Sequence, residues 1–219
     1  KITVLTENKS AIKEIYFYGA GCASPENCTR LASIFKDLFP EAIVVIKSDI
    51  EGAAFAANNG KPGIVALLGT GSNSCFFDGE IIYGGDFSLG YILGDEGSGS
   101  YFGKRLLRDY FYRLLPEELY EAFKDKYHIV RNDVIEKVYR NNAPNEFIAS
   151  FLPFYKEHIQ HSYCTYFIKF GLEEFIKIYI WRFSNHKAVD VNFVGSVAFH
   201  FEEQLRAVCA KLAIKPGRI

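Results

Sequence analysis

Gly63-Ile64-Val65-Ala66-Leu67-Leu68-Gly69-Thr70-Gly71-Ser72-Asn73-Ser74-Cys75-Phe76-Phe77 is the stretch on which the reading of the fold turns. Ile64 to Leu68 is a short apolar run of strand length that stops at a turn of small residues. Ser74 to Phe77 reads as a strand returning from that turn, so Gly69-Thr70-Gly71-Ser72-Asn73 lies at the mouth of a hairpin. Asp78-Gly79 then precedes the strand-like Glu80 to Tyr83. Asp-Gly between two such runs is the favoured type I′ hairpin signal, which makes this unit antiparallel.

Upstream, Glu14 to Tyr18 is a β-branched and aromatic run entering the tight turn Gly19-Ala20-Gly21. Asn27 to Phe39 carries Leu31, Ile34, Phe35, Leu38 and Phe39 at amphipathic helix spacing, and Pro40 ends it. Ala42 to Ile46 predicts a buried strand, and a small-residue helix starts near Asp49 and closes at Asn58-Asn59-Gly60. Strand, helix, strand, helix in this order predicts an α/β fold. Downstream, helical patterns cover Phe102 to Leu115, Pro116 to Tyr127, Asp133 to Arg140, Pro144 to His158 and Tyr163 to Phe183. A strand over Val189 to Val194, a Gly195-Ser196 turn and a helix over Val197 to Leu212 complete the chain, with no internal repeat.

The 219 residues are 49% hydrophobic and 23% charged, an ordinary globular composition able to bury a core. A net charge of -1 argues against a nucleic-acid partner, which calls for a basic face. The apolar runs are too short or too interrupted by charge to span a membrane, and no signal peptide is visible, so a cytoplasmic location is expected. Five cysteines at irregular spacings fit reduced intracellular thiols, and the five histidines form no metal-binding set. The chain starts at Lys1 and contains no Met, which suggests part of a longer gene product.

Four places could carry chemistry. The glycines of Gly69-Thr70-Gly71 let the backbone approach a ligand, and its N–H groups with the Thr70 and Ser72 hydroxyls can surround phosphate oxygens; a purely conformational turn is the alternative. Gly94-Asp95-Glu96-Gly97-Ser98-Gly99 holds two carboxylates in a glycine-rich loop, suited either to accepting hydrogen bonds from sugar hydroxyls or to capping the next helix. Asp49, at the end of a strand, is either a general base or an N-cap. Val194-Gly195-Ser196-Val197 can lie beneath a nucleotide, or be an ordinary strand-to-helix turn.

In this order, Ser48-Asp49, Gly69-Thr70-Gly71-Ser72-Asn73, Gly94-Asp95-Glu96-Gly97-Ser98 and Val194-Gly195-Ser196-Val197 resemble the N-acetylglucosamine kinase branch of the BadF/BadG/BcrA/BcrD group, within the sugar kinase, Hsp70 and actin superfamily. The resemblance covers nearly the whole chain. It implies two ribonuclease-H-like lobes of actin-like ATPase type, the first lobe's remainder over 1–60 and the second over 61–219 with a helical insertion. ATP and a sugar would meet between them, with Mg²⁺ held mainly by phosphates and water. By the same resemblance Asp49 is the catalytic base, Gly69, Thr70 and Gly71 form the second phosphate loop, and Gly195 and Ser196 the adenosine motif. Ser72, Asn73 and Asp95 would bind sugar, together with Ser88, Leu89 and Gly90, which stand where the family has Gly-Trp-Gly. The family's first phosphate loop is not in this chain and is expected upstream of Lys1.

The implied reaction is transfer of the γ-phosphoryl group of ATP to the 6-hydroxyl of an amino sugar such as N-acetylglucosamine. A homodimer is left open. Two alternatives stand beside it: an ATPase activator of 2-hydroxyacyl-CoA dehydratase type, with an iron–sulfur cluster between subunits, and a non-catalytic sugar or nucleotide sensor.

Overall fold

Among the described residues, 9–22 and 24–219 of the computed structural model, the strands form two sheets. In the first, β1 (Glu14–Gly19) and β2 (Ile43–Ser48) run parallel, with Glu14 opposite Ile43 and Gly19 opposite Ser48. Parallel neighbours need a crossover, and α1 (Pro25–Leu38) supplies it. The second sheet is built from β3 (Gly63–Leu68), β4 (Ser72–Phe77), β5 (Ile82–Gly84) and β6 (Val191–Val194), in the order β5-β4-β3-β6. β3 and β4 form the expected antiparallel hairpin, Leu68 opposite Ser72, while β6 joins the other edge of β3 in parallel, Ile64 opposite Val191.

Alternation along β3 places a different core on each face of this sheet. Ile64, Ala66 and Leu68 point into the large core, among Phe102, Leu106, Phe175 and Phe193. Val65, with Cys75 and Phe77 from β4, packs instead on Ile50, Ala53, Ala54 and Ala57 of α2 (Asp49–Asn58). Those alanines bring α2 close to the sheet, so the helix that leaves the first sheet is seated on the second.

The large core is roofed by α3 (Gly90–Leu93), α4 (Gly99–Phe111), α5 (Glu117–Tyr127), α6 (Arg131–Tyr139), α7 (Pro144–Ala149), α8 (Leu152–Glu157), α9 (Ser162–Phe175), α10 (Ser196–His200) and α11 (Glu202–Lys211). The aromatic stretch from Tyr163 serves this core, with Cys164, Ile168, Leu172 and Phe175 fully buried.

Several boundaries differ from expectation. The helix expected over Pro144 to His158 is two helices, since Pro153 has no N–H to give the Ala149 carbonyl. The helix expected over Val197 to Leu212 breaks at Phe201, which leaves helical geometry (φ -119°, ψ 32°) with its ring buried. The expected Asp78-Gly79 two-residue turn is a longer loop: the Asp78 carboxylate accepts the N–H groups of Glu80 (2.8 Å) and Ile81 (2.7 Å), so β5 starts at Ile82. α3 was not signalled, and α9 runs into a π turn at Ile176–Ile180.

Candidate active site

The carboxyl ends of the two parallel pairs, β1 with β2 and β3 with β6, face one cleft of about 540 Å³. Ala20 and Gly21 follow β1, Ser48 to Ile50 lie at the end of β2, Gly69 to Asn73 follow β3, and Val194 and Gly195 end β6. Open α/β sheets place ligands in this position because the strands end there and leave their turns free.

Asp49 opens α2, but it is not the cap. Ser48 is: its hydroxyl accepts the Glu51 N–H, and the Glu51 carboxylate returns to the Ser48 N–H at 3.1 Å, a reciprocal capping box. Asp49 is therefore exposed in the first helical turn, with Oδ1 on the Ile50 N–H at 2.8 Å and its carboxylate on the cleft wall. Cys22 lies beside it; burial pushes that thiol up, and the neighbouring Cys28 and Asp49 act in the same sense.

The turn after β3 is held from behind. Gly99 N–H donates to the Gly69 carbonyl (2.8 Å) and Ser100 N–H to the Thr70 carbonyl (3.0 Å), so the first turn of α4 satisfies its orphan donors on this loop. With those carbonyls turned toward α4, the amides of Thr70 and Gly71 make no hydrogen bond among the described residues. Gly195 seals the arrangement. Its φ is +122°, and a Cβ there would overlap the Leu68 carbonyl, so no side chain fits where β6 passes the turn.

Asp95 is buried at the opposite wall. Its Oδ1 accepts the Ser72 N–H (3.1 Å) and the Ser88 hydroxyl (3.0 Å), and no hydrogen bond reaches Oδ2 among the described residues. The capping duty falls to Ser98, whose hydroxyl accepts the Tyr101 N–H at 3.1 Å. Ser72 Oγ is buried in the same wall without a partner among the described residues. Asn73 is tied down, its amide donating to the Gly85 carbonyl at 2.7 Å. Behind the loop, burial lowers the Lys104 ammonium, while Asp95 and Glu96 pull it the other way.

No protein-family model and no curated protein matches the chain. Solved structures do. A candidate N-acetylglucosamine kinase from Porphyromonas gingivalis superposes on 99% of this chain with a TM-score of 0.92 and 36% identity, and the chain covers 76% of that protein. The chain belongs to this family of sugar kinases. The kinase is thus an ATP-dependent carbohydrate phosphotransferase by family. A second candidate N-acetylglucosamine kinase, from Chromobacterium violaceum, shares the fold at a TM-score of 0.66 and 20% identity, over 88% of this chain and 68% of that one.

The kinase brings Asp49, Gly69, Thr70, Gly71, Ser72, Asn73, Ser88, Asp95 and Gly195 onto one cleft. Leu89 and Gly90 are not on its wall, and Leu89 is 70% exposed. Ser196 lines a second cavity, of about 240 Å³, on the far side of the Gly69–Thr70 turn with Glu146 and Ser150. Asp86 and Asn145 line the main cleft and were missed. Asn145 sits in the first turn of α7, which reads like any amphipathic helix. The only sequence signal for its approach was Gly99 and Gly103, four residues apart on α4. Among the described residues no helix is long and apolar enough to cross a membrane, and no three potential metal-ligating side chains cluster.

Proposed function

We propose that the kinase transfers the γ-phosphoryl group of ATP to the 6-hydroxyl of an amino sugar, with N-acetylglucosamine as the acceptor. It would then be an amino-sugar kinase of the BadF/BadG/BcrA/BcrD type, its two sheets belonging to two ribonuclease-H-like lobes. The observation that carries this reading is that Asp49 and Asp95, on separate elements, open onto the one cleft whose third wall is the turn with unused Thr70 and Gly71 amides.

Each wall has a task in that chemistry. Unpaired backbone N–H groups in a glycine turn suit phosphate oxygens, and the charge that spreads over them during transfer. Mg²⁺, which neutralises phosphate charge, would be carried here mainly by the phosphates and water, with Asp49 and Asp86 the exposed carboxylates on the cleft wall. Oδ2 of Asp95 would accept a hydrogen bond from a sugar hydroxyl as a charged acceptor, with Ser72 beside it in the same wall. Asp49 holds the acceptor hydroxyl and takes its proton as the new oxygen–phosphorus bond forms. Ser196 lies beyond the turn, where a nucleoside leaving the phosphates would pass.

The test is ADP release by the full-length protein across a panel of N-acetylglucosamine, glucosamine, N-acetylmannosamine and glucose, with product analysis locating the phosphate. Turnover highest with N-acetylglucosamine and phosphate on the 6-oxygen is the expected result. Turnover with no amino sugar, or phosphate on another oxygen, overturns it.

A further inference from the structure

α9 does not end where its regular geometry does. It continues into the π turn Ile176–Ile180, closed by the Trp181 N–H on the Ile176 carbonyl at 3.0 Å. Such a turn inserts one residue into the helical repeat and rotates the side chains around it, and π turns recur at functional sites. Here it presents Tyr179, 2% exposed, to the back of the sugar wall.

Tyr179 is fixed on three sides. Its ring stacks on Phe175 with centroids 5.0 Å apart and leans on Phe87 at 5.8 Å. Its carbonyl accepts the Ser74 hydroxyl at 2.7 Å, which binds the π turn to β4. Its own hydroxyl accepts the backbone N–H of Asp95 at 3.2 Å, with the hydroxyls of Ser72 and Ser88 alongside.

Asp95 needs such a hold. Its φ is +59°, the left-handed region that crowds a Cβ, though aspartate enters it more readily than most residues. Two residues on, Gly97 also has a positive φ, and a Cβ there would stand 2.9 Å from Cβ of Phe175, so the loop is pressed against α9. The Asp95 carbonyl accepts the Ser98 N–H at 3.1 Å, and the carboxylate has Ser72 and Ser88 on Oδ1. Among the described residues, the N–H bond to Tyr179 is the one hydrogen bond that ties the backbone of Asp95 to α9 and its π turn.

We infer that Tyr179 is a positioning residue for acceptor recognition: its hydroxyl holds the Asp95 backbone in the left-handed conformation that turns the Asp95 carboxylate into the cleft. This rests on the proposed sugar-binding role of Asp95. The aromatic packing supplies the precision, and the hydroxyl transmits it to the loop.

Tyr179→Phe keeps the ring and removes the bond. Calorimetry on the full-length protein should show N-acetylglucosamine affinity reduced about 3- to 10-fold, the range for loss of one neutral hydrogen bond, with ATP-analogue affinity unchanged. In an Asp95→Ala background the same change should have no further effect on sugar affinity. Unaltered sugar affinity in the single variant, equal losses for both ligands, or full additivity with Asp95→Ala each overturns the inference. Hydrogen exchange at the Asp95 amide decides it apart from any ligand: Tyr179→Phe should cut its protection at least about tenfold, beyond any change at neighbouring amides. Unchanged protection overturns the inference even where wild type binds no sugar, a result that by itself counts against the proposed acceptor instead.

Discussion

Gly103 of α4 lies so close to Ile148 of α7 that a Cβ on the glycine would overlap the Ile148 carbonyl. One turn earlier, a Cβ on Gly99 would stand 3.1 Å from Cβ of Ala149. The two helices therefore touch backbone to backbone, and this contact carries Asn145 to the cleft while α4 holds the Gly69–Thr70 turn from behind. Close packing in the helical layer and the shape of the phosphate-facing turn are the same feature seen from two sides.

Gly103→Ala should force α7 away from α4. Overpacking of this kind costs about 1–3 kcal/mol, a fall in Tm of roughly 3–10 °C for a chain of this size. Thermal unfolding measures it. Nucleotide affinity should fall as well, because α7 lines the cavities on both sides of the turn; a variant with wild-type Tm would mean that the helices separate freely.

Asp49→Asn leaves the Ser48–Glu51 capping box intact, so the helix should fold as before. The amide cannot take the proton of the acceptor hydroxyl, and kcat should drop roughly 10²–10⁴-fold with sugar affinity little changed. Steady-state kinetics beside calorimetry would show it. Wild-type turnover would remove Asp49 from the role of base.

Gly195→Ala meets both a positive φ and the Leu68 carbonyl. The expected loss is about 1–3 kcal/mol of stability, with nucleotide affinity weakened more than sugar affinity because the strain falls on the end of β3 that leads into Gly69. Paired binding measurements with an ATP analogue and with sugar separate the two; equal losses for both ligands would count against a phosphate role for the turn.

Asp109 of α4 sets an acid limit. Burial raises its carboxyl, but Tyr163 (2.7 Å), Arg105 (2.6 Å) and Arg108 (2.9 Å) together outweigh that and hold it below its ordinary value. A carboxyl depressed in the folded state contributes stability that is fully present above its unfolded value of about 3.9 and is lost as pH falls through the folded value. Asp109→Asn should be less stable near neutrality, and its Tm should fall less than that of wild type between about pH 5 and pH 2. Parallel melting curves at stepped pH give the comparison.

Local pattern was enough for much of the fold. The apolar run Ile64–Leu68, the small-residue turn after it and the helix-spaced Leu31, Ile34, Phe35 and Leu38 specify their elements through nearest-neighbour physics, since strand and helix periods sort apolar side chains onto faces whatever lies beyond. For the same reason Asp49, Gly69–Gly71, Asp95 and Gly195 could be singled out: each stands at a strand end or a glycine-rich turn, where backbone is free to meet a ligand. The capping roles of Ser48 and Ser98 are local too, since each hydroxyl meets an N–H three residues on and Ser48-x-x-Glu51 carries the capping-box pattern. Distance in space had no such local signature. That Tyr179 backs the Asp95 loop and that Asn145 reaches the cleft were decided only when helices far apart in the chain packed together. A π turn and a backbone-to-backbone helix contact depend on which surfaces meet, and that is a property of the whole core rather than of any stretch of sequence.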